Sequence, residues 1–336
     1  MAEEPPKKKQ NVRYPGESEE AYPDVFTVMP PQPKEKKPGQ LPEESIKQYF
    51  DKGYVIVEDF FSKDDLDACR ESVREQVDRL AQKLFNAGKI KNLYMDQGFF
   101  QRLIKIEEDF PGANILLHKS GEFPPAFQKL WSNPRLLNVI EQLIGPDIMG
   151  HPVWNLRTKT PNNEATIVPW HQDSGYLDTR SYGVLQVGAW IPLLDATEEN
   201  GCMQIAAGGH KKGQVAQHKC CYGGTWYVML EEEEMAKTLG VNLEKDLTVC
   251  PVPYGGMLLF NNMLPHKSLP NKSKDIRWSL DLRWQTPDKN VGFYDLKPGL
   301  LMQSSKDPDF KIDWDSFNKI DRHKEQTKSL SGTQGS

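Results

Sequence analysis

The sequence predicts a mainly β protein with flanking helices, whose core is a double-stranded β-helix, or jelly roll. Short strands dominate residues 146–285, whereas helical periodicity dominates residues 41–145. Two of the later strands carry histidine and aspartate in the pattern of a metal site, and the mouth of a jelly roll can hold one small ligand. With 336 residues, the chain is long enough to bury the core of one such domain.

Polar segments flank the predicted domain, which we place at residues 41–320. Residues 1–40 are rich in Pro, Lys and Glu and poor in large apolar side chains, so we expect a disordered tail. Residues 321–336 are again polar and are expected to be loose. Between these tails, a helical support at 41–145 precedes the jelly-roll core at 146–285.

Helix signals are clear in the supporting region. Ser62, followed three residues later by Asp65, predicts a helix start. A second helical block at 126–143 contains Pro134 and is therefore predicted to be two helices. Between them, apolar residues recur at spacings of three and four until Gly88, which predicts an amphipathic helix packed on the sheet: Leu66, Cys69, Val73, Val77, Leu80 and Leu84.

The clearest strand of the core runs from Ile276 to Gln285, where apolar and polar residues alternate. Such alternation predicts a half-buried strand. An inward-facing arginine on this strand needs an anionic partner to offset its desolvation, and its planar fork suits a carboxylate. The polar face contains Arg277, Ser279, Asp281, Arg283 and Gln285.

His171-Gln172-Asp173 is the most informative short motif. In an extended strand, alternate side chains share one face, so the His171 imidazole and the Asp173 carboxylate are expected to point the same way. His266, on a separate strand, can complete the set. Two histidines and one carboxylate on one face of a metal are the facial triad of non-haem Fe(II) oxygenases.

Several ordered motifs surround this site. They are Tyr49 to Ser62, Trp170 to Asp173, Asn200 to Gly213, and His266 to Ser273 leading to Arg277. In this order they resemble the phytanoyl-CoA dioxygenase family of Fe(II)/2-oxoglutarate-dependent oxygenases, from about Pro42 to Gln285. The resemblance implies a jelly-roll dioxygenase that uses Fe(II), O₂ and 2-oxoglutarate.

The resemblance also implies roles for single residues. His171, Asp173 and His266 match the iron ligands, and no catalytic side chain is implied beyond the metal centre. Arg277 matches the arginine that binds the far carboxylate of 2-oxoglutarate. Further contacts to the cosubstrate are implied for Trp190, Ser279, Asn155 and Lys119.

Substrate contacts are predicted from proximity to the triad and from strand alternation. An arginine at position 180 could meet a carboxylate or phosphate of the substrate or face solvent, and the sequence favours neither. An insertion at 214–246 contains an aromatic segment that is either a lid or a surface loop. The candidate substrate residues are Trp154, Trp170, Gln172, Tyr176, Arg180, Gln186 and Arg283.

Composition excludes several classes of partner. The net charge of -5 and the lack of a basic stripe argue against nucleic acid. No apolar run approaches the roughly 20 residues of a membrane span. The five cysteines show no C-x-x-C spacing, which suits reduced thiols and a cytoplasmic protein. A small-molecule substrate is the expected partner, and no protein partner is implied.

Three functions remain open from the sequence. The first is hydroxylation of a C–H bond in a small-molecule or lipid-derived substrate, with succinate and CO₂ as coproducts. The second is a metal- and 2-oxoglutarate-binding sensor or scaffold, and the third is a cupin-like metal enzyme that does not use 2-oxoglutarate. Arg277 and Trp190 favour a cosubstrate. Asp173 favours hydroxylation, because halogenating relatives have a small residue there.

Overall fold

Antiparallel strands form two sheets in the computed structural model, which describes residues 19–220, 227–294, 297–307 and 309–320. The larger sheet contains β1 (Tyr54–Val57), β2 (Ile148–Gly150), β3 (Asn155–Lys159), β4 (Val187–Pro192), β7 (Met257–Asn261), β9 (Arg277–Gln285) and β10 (Leu300–Gln303). The smaller sheet contains β5 (Met203–Ala206), β6 (Leu247–Cys250) and β8 (His266–Ser268). Among the described strands, neither sheet closes on itself, and the predicted jelly-roll core consists of two packed sheets.

Strand β9 organises the larger sheet, whose order is β1-β7-β4-β9-β2-β10. One edge of β9 pairs with β4, and the other edge pairs with β3 and then with β2. Phe260 of the larger sheet and Ile205 of the smaller sheet belong to one buried cluster, so the two sheets pack against each other. The interior between them is where the polar face of β9 points.

The prediction of an alternating strand at 276–285 is confirmed, but both of its faces are buried rather than one. Its apolar face, including Trp278 and Leu282, packs in the main core with the helices. Its polar face, including Arg277 and Arg283, lines the interior between the sheets. Charged side chains at alternate positions are therefore desolvated, and each needs a partner of opposite charge or a ligand.

The helical support forms largely where the sequence predicts it. Helix α3 begins after Ser62, whose hydroxyl accepts a hydrogen bond from the Asp65 N–H at 3.1 Å. Pro134 begins a second helix of the later block, so the prediction of two helices is confirmed. The helices are α1 (Pro23–Thr27), α2 (Glu43–Lys52), α3 (Lys63–Asn86), α4 (Arg102–Asp109), α5 (Ala113–His118), α6 (Pro125–Trp131), α7 (Pro134–Ile144), α8 (Glu232–Leu239) and α9 (Trp314–Lys319).

The expected disorder of residues 1–40 is wrong for its second half. Helix α1 buries Phe26 completely, against Tyr182, Val215 and Met263. The N–H of Tyr22 donates to the carbonyl of Gly213 at 3.0 Å. The average composition of the segment is that of a disordered chain, yet one aromatic anchor and a backbone hydrogen bond hold it on the domain. Residues 1–18 and 321–336 lie outside the described part.

The structure also tests the expectations for the cysteines and for membrane-spanning segments. Cys69, Cys202 and Cys250 are free and buried, as expected for reduced thiols, whereas that expectation is wrong for Cys220, which is disulfide-bonded. None of the described helices combines the length and the apolar character that a membrane crossing requires.

Strand β10 was not predicted from the sequence, because the alternation of apolar and polar residues in the core ends at Gln285.

Replacing Phe26 with alanine should lower the free energy of unfolding by about 3 kcal/mol, because the deletion leaves a cavity beneath α1. Urea denaturation followed by tryptophan fluorescence measures the change. Val28→Ala is the matched control, since Val28 is 59% exposed, and its effect should stay within about 0.5 kcal/mol. Equal effects of the two substitutions would contradict the anchoring of this segment.

Candidate active site

His171 and His266 lie directly opposite each other across an antiparallel bridge. The N–H of His171 donates to the carbonyl of His266 at 3.0 Å, and the N–H of His266 donates to the carbonyl of His171 at 2.9 Å. This reciprocal pair fixes both backbones in register. The two imidazole centroids are consequently 4.2 Å apart, although 95 residues separate the histidines in sequence.

Backbone carbonyls determine which imidazole nitrogen faces the site. Nδ1 of His171 lies 2.9 Å from the Pro169 carbonyl, and Nδ1 of His266 lies 2.9 Å from the Leu264 carbonyl. A carbonyl can only accept, so each Nδ1 carries the proton and each Nε2 presents its lone pair. Asp173 Oδ1 lies 3.6 Å from Nε2 of His171 and 3.7 Å from Nε2 of His266.

These three ligand atoms lie within 4.8 Å of one another and can hold one metal ion. The expectation that Asp173 continues a strand is wrong, because a 3-10 helix, Asp173–Tyr176, begins there. Only His171 forms the bridge to β8. The carboxylate therefore turns toward the histidines at the start of the 3-10 helix rather than by alternation along a strand.

Gln172, between the two ligands, is completely buried and fixes the ligand segment. Its amide nitrogen donates to the carbonyls of Gln214 at 3.0 Å and Met263 at 2.7 Å, and its amide oxygen accepts from Ala216 N–H at 2.8 Å. Its own backbone N–H donates to Nε2 of His218 at 3.0 Å. The side chain predicted to contact substrate thus points into the protein, where it is fully hydrogen-bonded.

Arg283 holds the outer oxygen of the metal-site carboxylate. Its Nε donates to Asp173 Oδ2 at 2.8 Å, which leaves Oδ1 facing the two histidines. Burial raises the pKa of Asp173, but the charge of Arg283 and the neighbouring imidazoles outweigh it and hold that pKa well below its usual range. Burial, with His171 nearby, lowers the pKa of His266 to about 3. An ionised carboxylate and a neutral imidazole are the states that a metal requires.

Arg277 lines the same inner cavity as the two histidines. Only 2% of its surface is exposed, and its guanidinium carbon lies 5.2 Å from the centroid of the Trp190 ring. Its Nη1 donates to Ser279 Oγ at 2.6 Å, while its buried Nε has no partner among the described residues. Burial lowers the pKa of Arg277 to about 10, so the group is still a cation at neutral pH.

A larger cavity of about 540 Å³ adjoins the metal site on the side of Asp173 and Arg283. Four of the predicted substrate residues line it, namely Trp154, Tyr176, Gln186 and Arg283. Asn155 and Lys119, predicted as cosubstrate contacts, also line this larger cavity rather than the inner one. Trp170, Gln172 and Arg180 line neither of the two cavities.

Those three residues have other surroundings. Trp170 packs with Met235 and Leu239 of α8, and its indole N–H donates to Glu232 at 3.0 Å. Arg180 pairs with Asp178 at 2.8 Å and has a side chain that is 51% exposed. The described part of the 214–246 insertion therefore packs on the metal-bearing segment, whereas its aromatic residues 222–226 lie outside the described ranges.

Strand β3 supplies two charged residues that the sequence interpretation missed. Arg157 donates through Nε to Asp281 Oδ2 at 2.7 Å, and it lines both cavities. Lys159 is buried, and its Nζ donates to the Thr166 carbonyl at 2.9 Å. Their alternate spacing after Asn155 was the available signal, since it places three polar residues of one strand on one face.

The sequence of the whole core matches a known family. The profile of the family described as phytanoyl-CoA dioxygenase (PhyH) matches residues 49–279, more than half of the chain. The chain belongs to the phytanoyl-CoA dioxygenase family. The predicted classification as a 2-oxoglutarate-dependent dioxygenase is thereby confirmed at the level of the family, as are iron and 2-oxoglutarate as its cofactors.

Two curated relatives illustrate the range of this family. The 1-deoxypentalenic acid 11-beta-hydroxylase of Streptomyces arenae is 28% identical over 276 residues, which cover 79% of this chain and 88% of that protein. Phytanoyl-CoA dioxygenase domain-containing protein 1 of Danio rerio is 23% identical over 267 residues, which cover 69% and 86%. These alignments extend over most of each relative.

Solved structures share the fold. EctD from S. alaskensis, with 2-oxoglutarate and 5-hydroxyectoine, superposes with a TM-score of 0.56 at 16% identity, over 86% of this chain and 92% of that one. The apo form of the non-heme monooxygenase ThoJ gives a TM-score of 0.53 at 17% identity, over 85% and 98%. The predicted class of a mainly β, cupin-like core with flanking helices is confirmed.

Asp173→Ala should lower the affinity for Fe(II) by about a hundredfold, because it removes the single anionic ligand of the triad and leaves Arg283 without its partner. Anaerobic calorimetric titration with Fe(II) measures this affinity independently of turnover. Asp288→Ala removes an aspartate whose side chain is 70% exposed, and it should bind iron like the wild type. Unchanged Fe(II) affinity in Asp173→Ala would contradict the assignment.

Acidification should destabilise the metal-free protein between about pH 6.5 and pH 4. Burial lowers the pKa of each of His118, His151, His210 and His218 to about 4. In that window the unfolded chain binds more protons than the folded one, so the free energy of unfolding falls as pH falls, by up to about 1.4 kcal/mol per pH unit for each histidine.

Urea denaturation at successive pH values measures this slope. His210→Gln removes one of the four histidines and should make the slope shallower by about one proton. A free energy of unfolding that does not change across this window would contradict the burial of neutral imidazoles.

Proposed function

We propose that this protein hydroxylates a C–H bond of a small-molecule substrate and converts 2-oxoglutarate to succinate and CO₂. One observation carries the proposal. A completely buried arginine, Arg277, has no acidic hydrogen-bond partner among the described residues and lies in the same cavity as the inward-facing nitrogens of His171 and His266. A metal ion alone would not need a buried arginine beside it, and a lone arginine would not need a metal site. A dicarboxylate that chelates the metal with one end could pair with Arg277 through its other end.

Electrostatics support a dicarboxylate at this position. A buried guanidinium that lacks an anion is costly, and burial already lowers the pKa of Arg277 to about 10. Trp190 covers its face, and Ser279 orients one of its nitrogens. The remaining edge can pair with a carboxylate in two parallel hydrogen bonds. The distal carboxylate of 2-oxoglutarate would supply that anion.

The triad fits iron by its donor set. Two imidazoles and one carboxylate suit Fe(II), and three ligands leave coordination positions for a cosubstrate. Iron and 2-oxoglutarate supply the oxidising chemistry when they are bound. The chain's own contribution is positional: the Pro169 and Leu264 carbonyls fix the imidazole tautomers, and Arg283 fixes the carboxylate. Arg277 would hold the cosubstrate.

The larger cavity supports a substrate of metabolite size. A volume of about 540 Å³ is within the usual range for small-molecule sites. Its wall joins aromatic residues such as Trp154 and Phe293 to a few polar groups, a composition that can orient one ligand. The printed name of the Streptomyces arenae relative describes a hydroxylase of a small organic acid, which agrees with this proposal. The cytoplasmic location stays a prediction.

Anaerobic titration of the Fe(II)-loaded protein with 2-oxoglutarate tests the proposal. We expect the weak visible charge-transfer band of the chelate, followed by succinate after air is admitted. A band without succinate, even with a pool of metabolites present, would favour the sensor or scaffold. Iron binding without a band would favour the cupin-like enzyme that does not use 2-oxoglutarate.

Arg277→Met should weaken 2-oxoglutarate binding by about a hundredfold, because a charge-assisted pair of hydrogen bonds contributes about 2 to 3 kcal/mol. Titration of the charge-transfer band gives the affinity, and calorimetry gives the affinity for iron, which should change little. Arg277→Lys keeps the charge but not the fork, and it should fall between the two. Arg74→Gln, on the surface beside Glu71, is the control.

A further inference from the structure

The larger cavity has a cationic wall that the iron site and the cosubstrate do not account for. It is lined by Lys119, Arg157, Arg283 and Lys297, whereas Asp173 is the single acidic residue among the described residues of its lining. That carboxylate is already shared between Arg283 and the metal site. Among the described residues that line this cavity, cationic side chains therefore outnumber carboxylates.

Among these cations, Arg157 is the best placed to bind an anionic ligand. It lines both the inner and the larger cavity, and 20% of its side chain is exposed. Asp281 engages its Nε at 2.7 Å, and among the described residues neither of its terminal nitrogens has a hydrogen-bond partner. The pairing with Asp281 fixes the guanidinium plane, so the fork is already oriented before a ligand arrives.

The histidines of the same wall cannot supply the charge. Burial lowers the pKa of His118 and of His151 to about 4, so both are neutral at pH 7. Nδ1 of His118 lies 2.9 Å from the Leu156 carbonyl, and Nε2 of His151 lies 2.8 Å from the Val291 carbonyl. Nδ1 of His151 also accepts a hydrogen bond from the Val153 N–H at 3.2 Å, so both nitrogens of that ring are occupied. The positive charge of this wall therefore comes from arginine and lysine, and of these Arg157 offers a planar fork that Asp281 already orients.

The balance of charge between the arginines and the aspartates of the site also favours a further anion. Three guanidiniums, those of Arg157, Arg277 and Arg283, face two carboxylates, those of Asp173 and Asp281. A dicationic metal and a dianionic 2-oxoglutarate add nothing to the sum. Counting only these guanidiniums and carboxylates, one positive charge remains in a largely desolvated site, where an unpaired charge is unfavourable.

We propose that Arg157 is the substrate-recognition residue and that the substrate carries a carboxylate joined to an apolar body. This inference rests on the proposed function, since it specifies the substrate of the same site. The planar fork of Arg157 would bind the carboxylate in two parallel hydrogen bonds. The aromatic wall formed by Trp154, Tyr176 and Phe293 would cover the apolar body.

Matched acids and amides test the carboxylate. Cyclohexanecarboxylate, naphthylacetate and decanoate are titrated calorimetrically into the anaerobic protein with Fe(II) and 2-oxoglutarate, and into the metal-free protein. Their neutral amides and cyclohexyl phosphate are titrated in parallel. In the wild type we expect at least one acid to bind about tenfold or more tightly than its amide, as a charge-assisted hydrogen bond allows.

Arg157→Gln should abolish this preference, and Arg157→Lys should retain part of it because it keeps the charge. Since Arg157→Gln leaves Asp281 without its partner, the double variant Arg157→Gln/Asp281→Asn is measured alongside, with thermal unfolding as a check of folding. Arg74→Gln should keep the wild-type preference. A preference that survives in the folded double variant would overturn the assignment.

Two further outcomes would also overturn it. One is the absence of binding by every acid at millimolar concentration, and the other is tighter binding of cyclohexyl phosphate than of its carboxylate counterpart. The band of the Fe(II)–2-oxoglutarate complex separates this failure from a failure of the proposed function. If the band forms and the acids show no preference, only the substrate inference fails. If no band forms, the proposed function fails.

Discussion

The desolvation of the polar face of β9 is the constraint on which the site depends. Arg277, Asp281 and Arg283 occupy alternate positions of a strand that is buried on both faces. Each charge must therefore meet a partner within the interior. Asp281 meets Arg157, Arg283 meets Asp173, and Arg277 meets no acidic partner among the described residues. The unmet charge marks the place where a ligand is required.

The same strand connects the metal site to both cavities. Arg283 orients the carboxylate ligand, while Arg277 lies six residues earlier on the same strand and lines the inner cavity. The pairing of β9 with β3 brings Arg157 opposite Ser279, so the residue proposed to read the substrate is adjacent to the residue that orients Arg277. Metal, cosubstrate and substrate would thus be positioned from one rigid element, which favours precise placement of the reacting C–H bond.

The proximity of His171 and Asp173 and the inward-facing Arg277 could be predicted from local and periodic patterns, whereas His266 was added by the resemblance of the ordered motifs. His171 and Asp173 are two residues apart, and the alternation through Arg277 puts polar residues on one face. The orientation of Gln172 could not be predicted, because it depends on carbonyls of Gln214 and Met263 that only the folded chain brings near. Asp173 lies close to the two histidines as predicted, but it does so from the start of a 3-10 helix and not from an extended strand.

Other features could not be predicted, because the composition of a segment does not show which of its side chains become buried. The sequence of β3 is that of a polar segment, yet β3 pairs with β9 in the sheet, and Arg157 and Lys159 line the inner cavity. The segment around Phe26 has the composition of a disordered tail, but one side chain fills a site between Tyr182 and Met263. In both cases a tertiary contact, rather than the average character of the segment, decides the outcome.

The most direct test is a crystal structure of the anaerobic protein with Mn(II), as a redox-silent substitute for Fe(II), and 2-oxoglutarate. The account predicts the metal on Nε2 of both His171 and His266 and on Oδ1 of Asp173, with the distal carboxylate of the cosubstrate against Arg277. A metal bound elsewhere, or a cosubstrate whose distal carboxylate pairs with Arg157 while Arg277 stays without an anion, would contradict it.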